Sequence, residues 1–356
     1  MNFLKQCISK CLIIALAAAV VLPQTAFGAL DKNKYPHGET DLSYSGSTCG
    51  SPAMIAYEKG FFDEEGVKVT LVSGVSFEAQ RTALATGKLA VVNGDFQFFP
   101  AIYNGIDVKL ISGLHEGCIK LLVLKSSPIK SLKDLKGRKL RIAVDEIGGT
   151  PMSVASVVLG EQGINPQDTN AVVWKPYPSD QIMTAAEKGE VDIIAAWDPR
   201  ATEAEQSGKY RTLIDIGKDA PFAGKYCCFL FASGKVVKNN PDKVAAILRA
   251  YDKATKWIGE HPDEAAQILV SKKYVPTDNV KLVATLLKSY HYNNLHGSHN
   301  AQSQEKTQQA KNDAIFFAKE MIKTGYLPTT LDAAKFIDGI YVDIFAVESA
   351  FNAKKK

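Results

Sequence analysis

A chain of 356 residues, 46% of them hydrophobic, is long enough for one large domain or two medium ones, each with a sizeable core. The formal charge is only +4, and lysines and arginines are spread along the chain, so no basic stripe indicates a nucleic-acid partner. The run of lysines at residues 354–356 is typical of a solvated tail.

The first 28 residues have the pattern of a secretory signal peptide. Two lysines precede an apolar run over residues 11–22, and small residues at positions 26 and 28 mark a cleavage site before Ala29. The apolar run is too short to span a bilayer, and no cysteine follows it as a lipoprotein signal requires. We therefore predict cleavage between Gly28 and Ala29 and a soluble mature chain in the periplasm.

The first unit of the mature chain, residues 43–62, reads as a strand end, a loop rich in Gly, Ser and Thr, and a helix. Ser51 is a suitable N-cap because its hydroxyl can accept a first-turn amide, and Pro52 suits the first helical position. We expect the helix to stop near Gly60. Its start directs free N–H groups at the loop, a natural place for a small polar ligand, although an ordinary capped helix would look the same.

Strands and helices alternate beyond this unit. The predicted elements are strands over residues 67–72, 89–92 and 108–112 and a helix over residues 77–86, and an apolar run covers residues 119–124. Asp95 and Phe96 follow the strand at residues 89–92. They should therefore lie at the carboxyl edge of a parallel sheet, where ligands bind.

A second copy of the pattern begins at residue 142. Residues 142–163 read as a strand, a glycine pair, Thr150 as N-cap and a helix. The helix, glycine stop, strand and aspartate that follow repeat as well, with Asp198 in the place of Asp95. The sequence therefore predicts two similar α/β lobes.

The predicted domain bounds follow from this repeat. Residues 1–28 are the signal peptide, residues 29–125 with 228–356 form lobe 1, and residues 126–227 form lobe 2. From Asn240 onward the pattern is helical, and we expect these helices to pack around lobe 1. A polar stretch from Leu295 is predicted to be a loop or a helix start.

Four segments carry a family resemblance: AYEKGFFDEEGVKVTLV from Ala56, SLKDLKGRKLRIAV from Ser131, LGEQGINPQD from Leu159 and NNPDKVAAILRAYDKATKWI from Asn239. Together they resemble the periplasmic solute-binding proteins of sulfonate, nitrate and taurine uptake systems. That broad family also includes binding proteins for thiamine-pyrimidine precursors.

The resemblance implies a type II periplasmic binding protein fold. In this α/β architecture two lobes, joined by two crossing strands, close on a ligand and present it to the transmembrane permease of an ABC importer. The crossings are expected near residues 119–128 and 221–231. The chain is expected to be a monomer with no catalytic residues.

The strand ends and the resemblance together place a set of residues around the cleft. The candidate ligand-binding residues are Ser47, Thr48, Cys49, Gly50, Ser51, Asp95, Phe96, His115, Glu116, Cys118, Ile147, Gly148, Gly149, Thr150, Trp197, Asp198, Tyr226, Cys227 and Cys228. Structural roles are the alternative for single residues. Trp197 and Phe96 could pack in the core, and Asp198 could cap a helix.

Four cysteines remain after the signal peptide is removed, and all four are predicted to lie beside the cleft: Cys49, Cys118, Cys227 and Cys228. In an oxidising periplasm they could form disulfides, for example Cys49 with Cys118. Alternatively, their thiolates bind a soft metal, a metal complex or an iron-sulfur species as the ligand, since four sulfurs is the usual count. His115 could add an imidazole, or lie in solvent.

An enzyme of the same fold is the competing class. The pyrimidine-precursor synthases share the fold, and their cysteine-rich iron-binding motif resembles YCCF at residues 226–229 only in part. That chemistry is cytosolic, whereas this chain has an export signal, and no HExxH motif or phosphate loop supports another reaction. A two-lobed sensor would need a membrane segment or a signalling domain. We therefore predict a binding protein rather than an enzyme.

Overall fold

The structure is a computed structural model that describes residues 30–294 and 301–355. The predicted signal peptide and its cleavage site lie outside these residues, so both stay predictions. The strands are β1 (Glu39–Tyr44), β2 (Lys68–Ser73), β3 (Val91–Asp95), β4 (Val108–Glu116), β5 (Ile119–Leu124), β6 (Leu140–Val144), β7 (Val172–Pro176), β8 (Ile193–Trp197), β9 (Tyr210–Asp215) and β10 (Tyr226–Ser233).

The helices alternate with the strands in the first two thirds of the chain and then follow one another. They are α1 (Ser51–Glu58), α2 (Phe61–Glu64), α3 (Phe77–Thr86), α4 (Phe99–Tyr103), α5 (Thr150–Glu161), α6 (Ile182–Glu187), α7 (Arg200–Gln206), α8 (Gly234–Asn239), α9 (Pro241–Glu260), α10 (Pro262–Ser271), α11 (Val280–Ser289), α12 (Ala301–Lys323), α13 (Ala333–Ile340) and α14 (Ile344–Ala353). Three short 3-10 turns lie at Thr48–Gly50, Phe96–Phe98 and Leu132–Leu135.

The first lobe is built on strands in the order β2, β1, β3, β10 and β4. Strands β1 and β2 are parallel, and a bridge from Asp41 to Leu89 joins β1 to the approach of β3. Strand β10 lies between β3 and β4 and is antiparallel to both. The late strand β10 thus completes a sheet begun by the N-terminal half of the chain.

The second lobe has the same strand order. Its sheet runs β7, β6, β8, β5 and β9, with β6 parallel to β7 and β8, and with β5 antiparallel to β8 and β9. Strand β5 occupies the position that β10 holds in the first sheet. Each lobe therefore receives one strand from beyond a crossing, as a pair of similar α/β lobes requires.

The chain crosses between the sheets at two short segments. It leaves β4 after Glu116 and enters β5 at Ile119, and it returns between Asp215 and Tyr226. The first crossing comes earlier in the chain than the predicted residues 119–128, because β5, which begins at Ile119, is already hydrogen-bonded to β8 and β9. Residues 119–125, which the predicted bounds assign to lobe 1, thus begin with a strand of the second sheet, and Tyr226 and Cys227 belong to the first.

Helix α9 shows why the C-terminal segments fold onto the first lobe. Asn240 caps it by accepting the Lys243 N–H at 3.3 Å. Its apolar residues recur at helical spacing and form one buried face against α1 and α2. The members of that face are Val244, Ile247, Leu248, Tyr251, Ala254 and Ile258. Burying each large side chain contributes about 1.5–3 kcal/mol.

Helix α12 differs from the expectation that the C-terminal helices serve lobe 1 alone. Its buried face also packs on α5 of the second lobe. Just after the helix, the Thr324 carbonyl accepts Gln167 Nε2–H at 2.7 Å, and the Tyr326 hydroxyl lies 3.1 Å from that of Ser156. The part of the predicted polar loop from Ala301 onward is helical, whereas residues 295–300 are outside the described residues.

The two helices whose starts organise the repeat begin one residue earlier than predicted. Gly50 and Gly149 are the N-caps of α1 and α5, and neither helix has a side-chain cap. The Ser51 hydroxyl instead donates to the Thr48 carbonyl at 2.5 Å. The predicted capping roles of Ser51 and Thr150 are therefore wrong, although both helices start where the repeat places them.

Candidate functional site

A cavity of about 100 Å³ lies between the lobes at the strand ends. This is room for a few water molecules or one small group of a ligand. Six of the predicted site residues line it: Cys49, Asp95, Gly149, Thr150, Trp197 and Cys228. Both lobes therefore contribute predicted residues to one shared cavity.

The remaining lining residues are not among the candidate ligand-binding residues. They are Ser45, Val75, Phe77, Gln80, Asn93, Gly94, Gln97, Asp145 and Glu146. Asp145 and Glu146 directly follow β6, so the strand-end rule that selected Asp95 would have found them. Asn93 lies within β3, where only the side-chain alternation of a strand could have indicated it.

Two predicted aromatic residues belong to the core instead. Phe96 is fully buried and stacks on Phe317 with ring centroids 4.2 Å apart. Tyr226 is also fully buried, and its ring packs directly against Gly113 of the neighbouring strand. Neither lines the cavity, because each ring points into the packed layer behind the sheet.

Asp198 caps a helix and also joins the lobes. Its carboxylate accepts the Thr202 N–H at 3.1 Å and the Thr202 hydroxyl at 2.6 Å, at the start of α7. Its backbone carbonyl accepts the Thr48 N–H and the Ser47 hydroxyl from the first lobe, at 3.3 and 3.2 Å. Burial raises the pKa of Asp198 to about 6. Asp198, Thr48 and Ser47 therefore form a contact between the lobes and do not line the cavity.

Other predicted residues have local roles. The Thr48 hydroxyl is buried in a short contact with the Tyr290 hydroxyl. The Gly148 N–H donates to Met152 Sδ at 3.1 Å, and Ile147 is exposed. Glu116 accepts from His291 at 3.1 Å.

The four cysteines converge behind the cavity, beside the two crossings. Cys118 Sγ lies 3.9 Å from Cys227 Sγ and 3.8 Å from Cys228 Sγ, and the last two sulfurs are 3.8 Å apart. All four cysteines are buried free thiols in the described part of the chain. The structure thus brings together the sulfurs that the sequence placed near the cleft, and in it Cys49 and Cys118, the example pair of the disulfide alternative, are free thiols.

His115 is part of this cluster, and the expectation that it lies in solvent is wrong. It is 0% exposed, near the end of β4 and opposite Cys228 of β10. Its Nδ1 donates to the Glu116 carbonyl at 2.9 Å, since a carbonyl can only accept. That leaves Nε2 with a free lone pair, and Nε2 is buried without a partner among the described residues.

The ring of His115 is held in place by two tyrosines. The Tyr290 and Tyr292 rings lie 5.0 and 5.5 Å from it, centroid to centroid. A backbone acceptor on one nitrogen and fixed ring packing are what orient a metal-binding imidazole. His115 therefore has the setting of a ligand as well as the position.

Cys49, His115, Cys118 and Cys228 offer ligand atoms that all lie within 4.8 Å of one another. Zinc–sulfur bonds of about 2.3 Å in a tetrahedron place the sulfurs roughly 3.8 Å apart, close to the observed spacing of Cys118 and Cys228. Cys227 lies outside this set, and its thiol donates to the Gly117 carbonyl. The geometry therefore favours His115 over Cys227 as the fourth ligand. We call Cys49, His115, Cys118 and Cys228 the sulfur–imidazole site.

Ionisation within the site is uneven. Hydrogen bonds from the Cys118 and Cys228 thiols hold the pKa of Cys49 well below its usual range. Burial raises the pKa of the Cys118 thiol well above it. Burial opposes the charging of His115, but the neighbouring sulfurs of Cys49 and Cys227 outweigh it, so the pKa of His115 is raised. Of the three thiols in the site, Cys49 is thus the one that most readily becomes a thiolate. Despite its burial, the pKa of the adjacent Cys227 is also lowered, by hydrogen bonds from Cys118 and Cys228.

Carboxylates dominate the polar wall of the cavity. Asp95 is 1% exposed, one oxygen accepts the Gln97 N–H at 2.6 Å, and burial raises its pKa to about 8. Asp145 accepts Trp197 Nε1–H at 2.7 Å, and burial raises its pKa as well. Among the described residues that line the cavity, none is Lys or Arg.

Two α/β lobes of one strand order, joined by two crossings around a shared cleft, define the periplasmic binding protein fold. The chain belongs to the NMT1/THI5 like family, whose model matches residues 49–265. Both the expected fold and the family resemblance are confirmed. Of the described helices, none has the length and apolar character needed to cross a membrane.

Known relatives span binding proteins and a synthase. The chain is 29% identical over 248 residues to a putative aliphatic sulfonates-binding protein of Bacillus subtilis, covering 67% of this chain and 70% of that one. It is 24% identical over 216 residues to the 4-amino-5-hydroxymethyl-2-methylpyrimidine phosphate synthase of Schizosaccharomyces pombe, covering 57% and 60%. The periplasmic nitrate-binding protein NrtA of Synechocystis PCC 6803 has a similar structure, with a TM-score of 0.67 at 18% identity over 88% of both chains.

Proposed function

We propose that this protein is the extracytoplasmic solute-binding component of an ABC importer, that it captures a thiophilic metal ion or a complex of such a metal, and that it delivers this cargo to a permease. The observation that carries the cargo assignment is the sulfur–imidazole site. Three thiols and one imidazole are the ligand types that soft and borderline divalent metals prefer. Two of these ligands, Cys49 and Cys228, also line the cleft cavity.

The spacing of the ligands supports a single metal ion rather than an iron-sulfur species. All four ligand atoms lie within 4.8 Å of one another. A cluster of two or more irons holds its outer ligands further apart than one ion does. The cargo therefore presents one metal centre to this site.

An oxyanion or sulfonate cargo, which the Bacillus subtilis relative's name suggests, fits this cavity less well. A buried anion needs a cation or several aligned donors to replace its hydration. Here Asp95, Asp145 and Glu146 line the cavity instead. Any of these groups that is ionised would repel a sulfonate, whereas a bound cation would favour their ionised form.

The export signal, the family and the fold together support a periplasmic protein with a permease partner. We propose a monomer that binds without turnover. A synthase role remains the competing class because of the Schizosaccharomyces pombe relative. The sequence YCCF at residues 226–229 matches the synthase motif only in part, and Cys227 lies outside the sulfur–imidazole site.

Cadmium titration of protein purified without oxygen tests the cargo assignment, with thiolate-to-cadmium charge-transfer absorbance as the signal. We expect one ion per chain in the wild type. Cys49→Ser and Cys228→Ser should each weaken binding by more than the roughly 10- to 100-fold typical for loss of an outer-shell partner. Cys227→Ser is the matched control and should bind within a few-fold of the wild type. Two quantitative disulfides with no metal bound would overturn the assignment.

A further inference from the structure

One wall of the cleft cavity carries hydrogen-bond acceptors that have nothing to accept. Asn93 Oδ1, Asp95 Oδ2 and Gln97 Oε1 are buried and find no donor among the described residues. All three residues line the cavity, and they come from the same end of β3 and the turn that follows. We call Asn93, Asp95 and Gln97, with Asp145 and Glu146 opposite, the acceptor chamber.

Leaving such atoms unpaired is costly. A buried polar atom without a partner costs about 1–3 kcal/mol, and more when the group is charged. Native proteins contain few such atoms, so a ligand that displaces water from this cavity must supply donors to all three. Asp95 is the strongest of the three cases because its side chain is almost completely buried.

The charge of the chamber selects the kind of donor. Asp145 and Glu146 bring carboxylates from the second lobe, and the described lining residues include no Lys or Arg. A ligand that donates several hydrogen bonds and carries positive charge satisfies both the unpaired acceptors and the uncompensated carboxylates.

The chamber adjoins the sulfur–imidazole site. Asn93 Nδ2 lies 4.0 Å from Cys49 Sγ, and Asp95 pairs with Cys228 across β3 and β10. Cys49 and Cys228 form the common wall of both places.

We propose that the acceptor chamber is a second subsite of the cleft, which binds a protonated amine or metal-bound amine group of the cargo beside the metal. This inference rests on the proposed function, because it assumes that the cargo binds in the cleft. It adds that the cargo is a two-part species with an amine-bearing portion. A cargo that is a bare ion would make no use of the three acceptors.

Calorimetric titration with 1,2-diaminoethane tests the subsite, in wild-type protein with and without one equivalent of cadmium. Methanesulfonate and nitrate serve as anionic probes of similar small size. Asp95→Asn keeps the shape of the side chain and removes a carboxyl group that a bound cation would ionise, and Gln97→Leu removes a neutral acceptor. Glu190→Gln is the matched control, because Glu190 pairs with Tyr177 and does not line the cavity.

We expect the diamine to bind the wild type, and Asp95→Asn to weaken it at least tenfold while cadmium binding persists. Gln97→Leu should weaken it by a smaller factor and Glu190→Gln should leave it unchanged. The inference is overturned if cadmium binds but the diamine does not. It is also overturned if Asp95→Asn and Gln97→Leu both bind the diamine as the wild type does, or if methanesulfonate or nitrate binds instead of the diamine. If the diamine binds as expected and cadmium does not, the metal assignment fails and the amine subsite stands.

Discussion

Glu146 of the second lobe accepts the backbone N–H of Phe77 in the first lobe, with both carboxylate oxygens 3.2 Å from the nitrogen. Phe77 opens helix α3, so its amide is one of the free first-turn donors, while Ser76 accepts the Ala79 N–H at 3.2 Å. A carboxylate is also favoured there by the helix dipole. The contact therefore fastens the cleft shut at the cavity rim.

Glu146→Ala should shift the protein toward an open cleft. A hydrogen bond to a charged group contributes about 1.5–3 kcal/mol, which corresponds to a tenfold or larger change in the ratio of closed to open molecules. Small-angle scattering of the ligand-free protein should give a larger radius of gyration for the variant. Glu187→Ala is the control, since Glu187 pairs with Lys209 within the second lobe. Identical scattering from Glu146→Ala and wild type would contradict the role of this contact.

Cys118 is a candidate metal ligand whose backbone has an unfavourable conformation. Its φ of 92° is in the left-handed region, and it follows Gly117, whose φ is 76°. A Cβ on Gly117 would lie 3.2 Å from Gly217 Cα, so the backbones of the two crossings pack directly together. The thiol at this position is therefore present despite a backbone that favours glycine.

Replacing Cys118 in two ways separates the thiol from the backbone. Cys118→Gly relieves the strain and Cys118→Ser keeps it, so we expect the glycine variant to be about 1 kcal/mol more stable than the serine variant. Urea unfolding without metal measures the difference. Both variants should lose cadmium binding to the same extent. A serine variant as stable as the glycine variant would show that the backbone there is not strained.

Gly113 lets the buried ring of Tyr226 lie flat against β4. A Cβ added at Gly113 would clash with the Tyr226 ring, which is fully buried and cannot swing away. We expect Gly113→Ala to cost about 1–3 kcal/mol as an overpacked core. Because Tyr226 adjoins the cysteine pair, cadmium binding should weaken as well.

Gly259 is the matched control for this substitution. It lies in the last turn of helix α9, and a Cβ there meets nothing within 4 Å. Gly259→Ala should raise the stability by about 1 kcal/mol, because alanine is the better helix former. Thermal unfolding of the two variants gives the comparison. A Gly113→Ala variant as stable as the wild type would mean that Tyr226 can move.

Local pattern was enough to predict the elements whose ends are marked in the sequence. Helix α3 has the predicted bounds because a glycine stops it, and strand β5 coincides with the apolar run noted at residues 119–124. The repeat also predicted that two helix starts and two strand ends face one cavity. These features depend on residues close together in the chain.

The composition of the metal set could not be predicted in the same way. His115 is buried because β4 continues past Ser112 and pairs with β10, more than 100 residues away. Register shifts near Cys228 decide which of the adjacent cysteines joins His115. Neither the long-range pairing nor the irregular register leaves a mark in the local sequence.

Asp313 provides a test of the packing between α12 and β10 through pH. Its carboxylate accepts the Tyr226 N–H at 2.9 Å, and burial raises its pKa from 3.8 to about 6, partly offset by that hydrogen bond and by Lys225 and Lys306. The folded protein therefore holds this proton more tightly than the unfolded chain does. The stability contributed by the protonated form is complete below pH 3.8 and is lost as the pH rises to about 6.

Asp313→Asn should remove this pH dependence, because the amide keeps an acceptor for Tyr226 and does not ionise. Relative to wild type, the variant should be more stable at pH 7 than at pH 4, as measured by urea unfolding at both values. Asp338→Asn is the control. Asp338 lies on the neighbouring helix α13, is exposed and forms an ion pair with Lys311 of α12. A difference between Asp313→Asn and wild type that is the same at both pH values would mean that Asp313 ionises in the folded protein as it does in the unfolded chain.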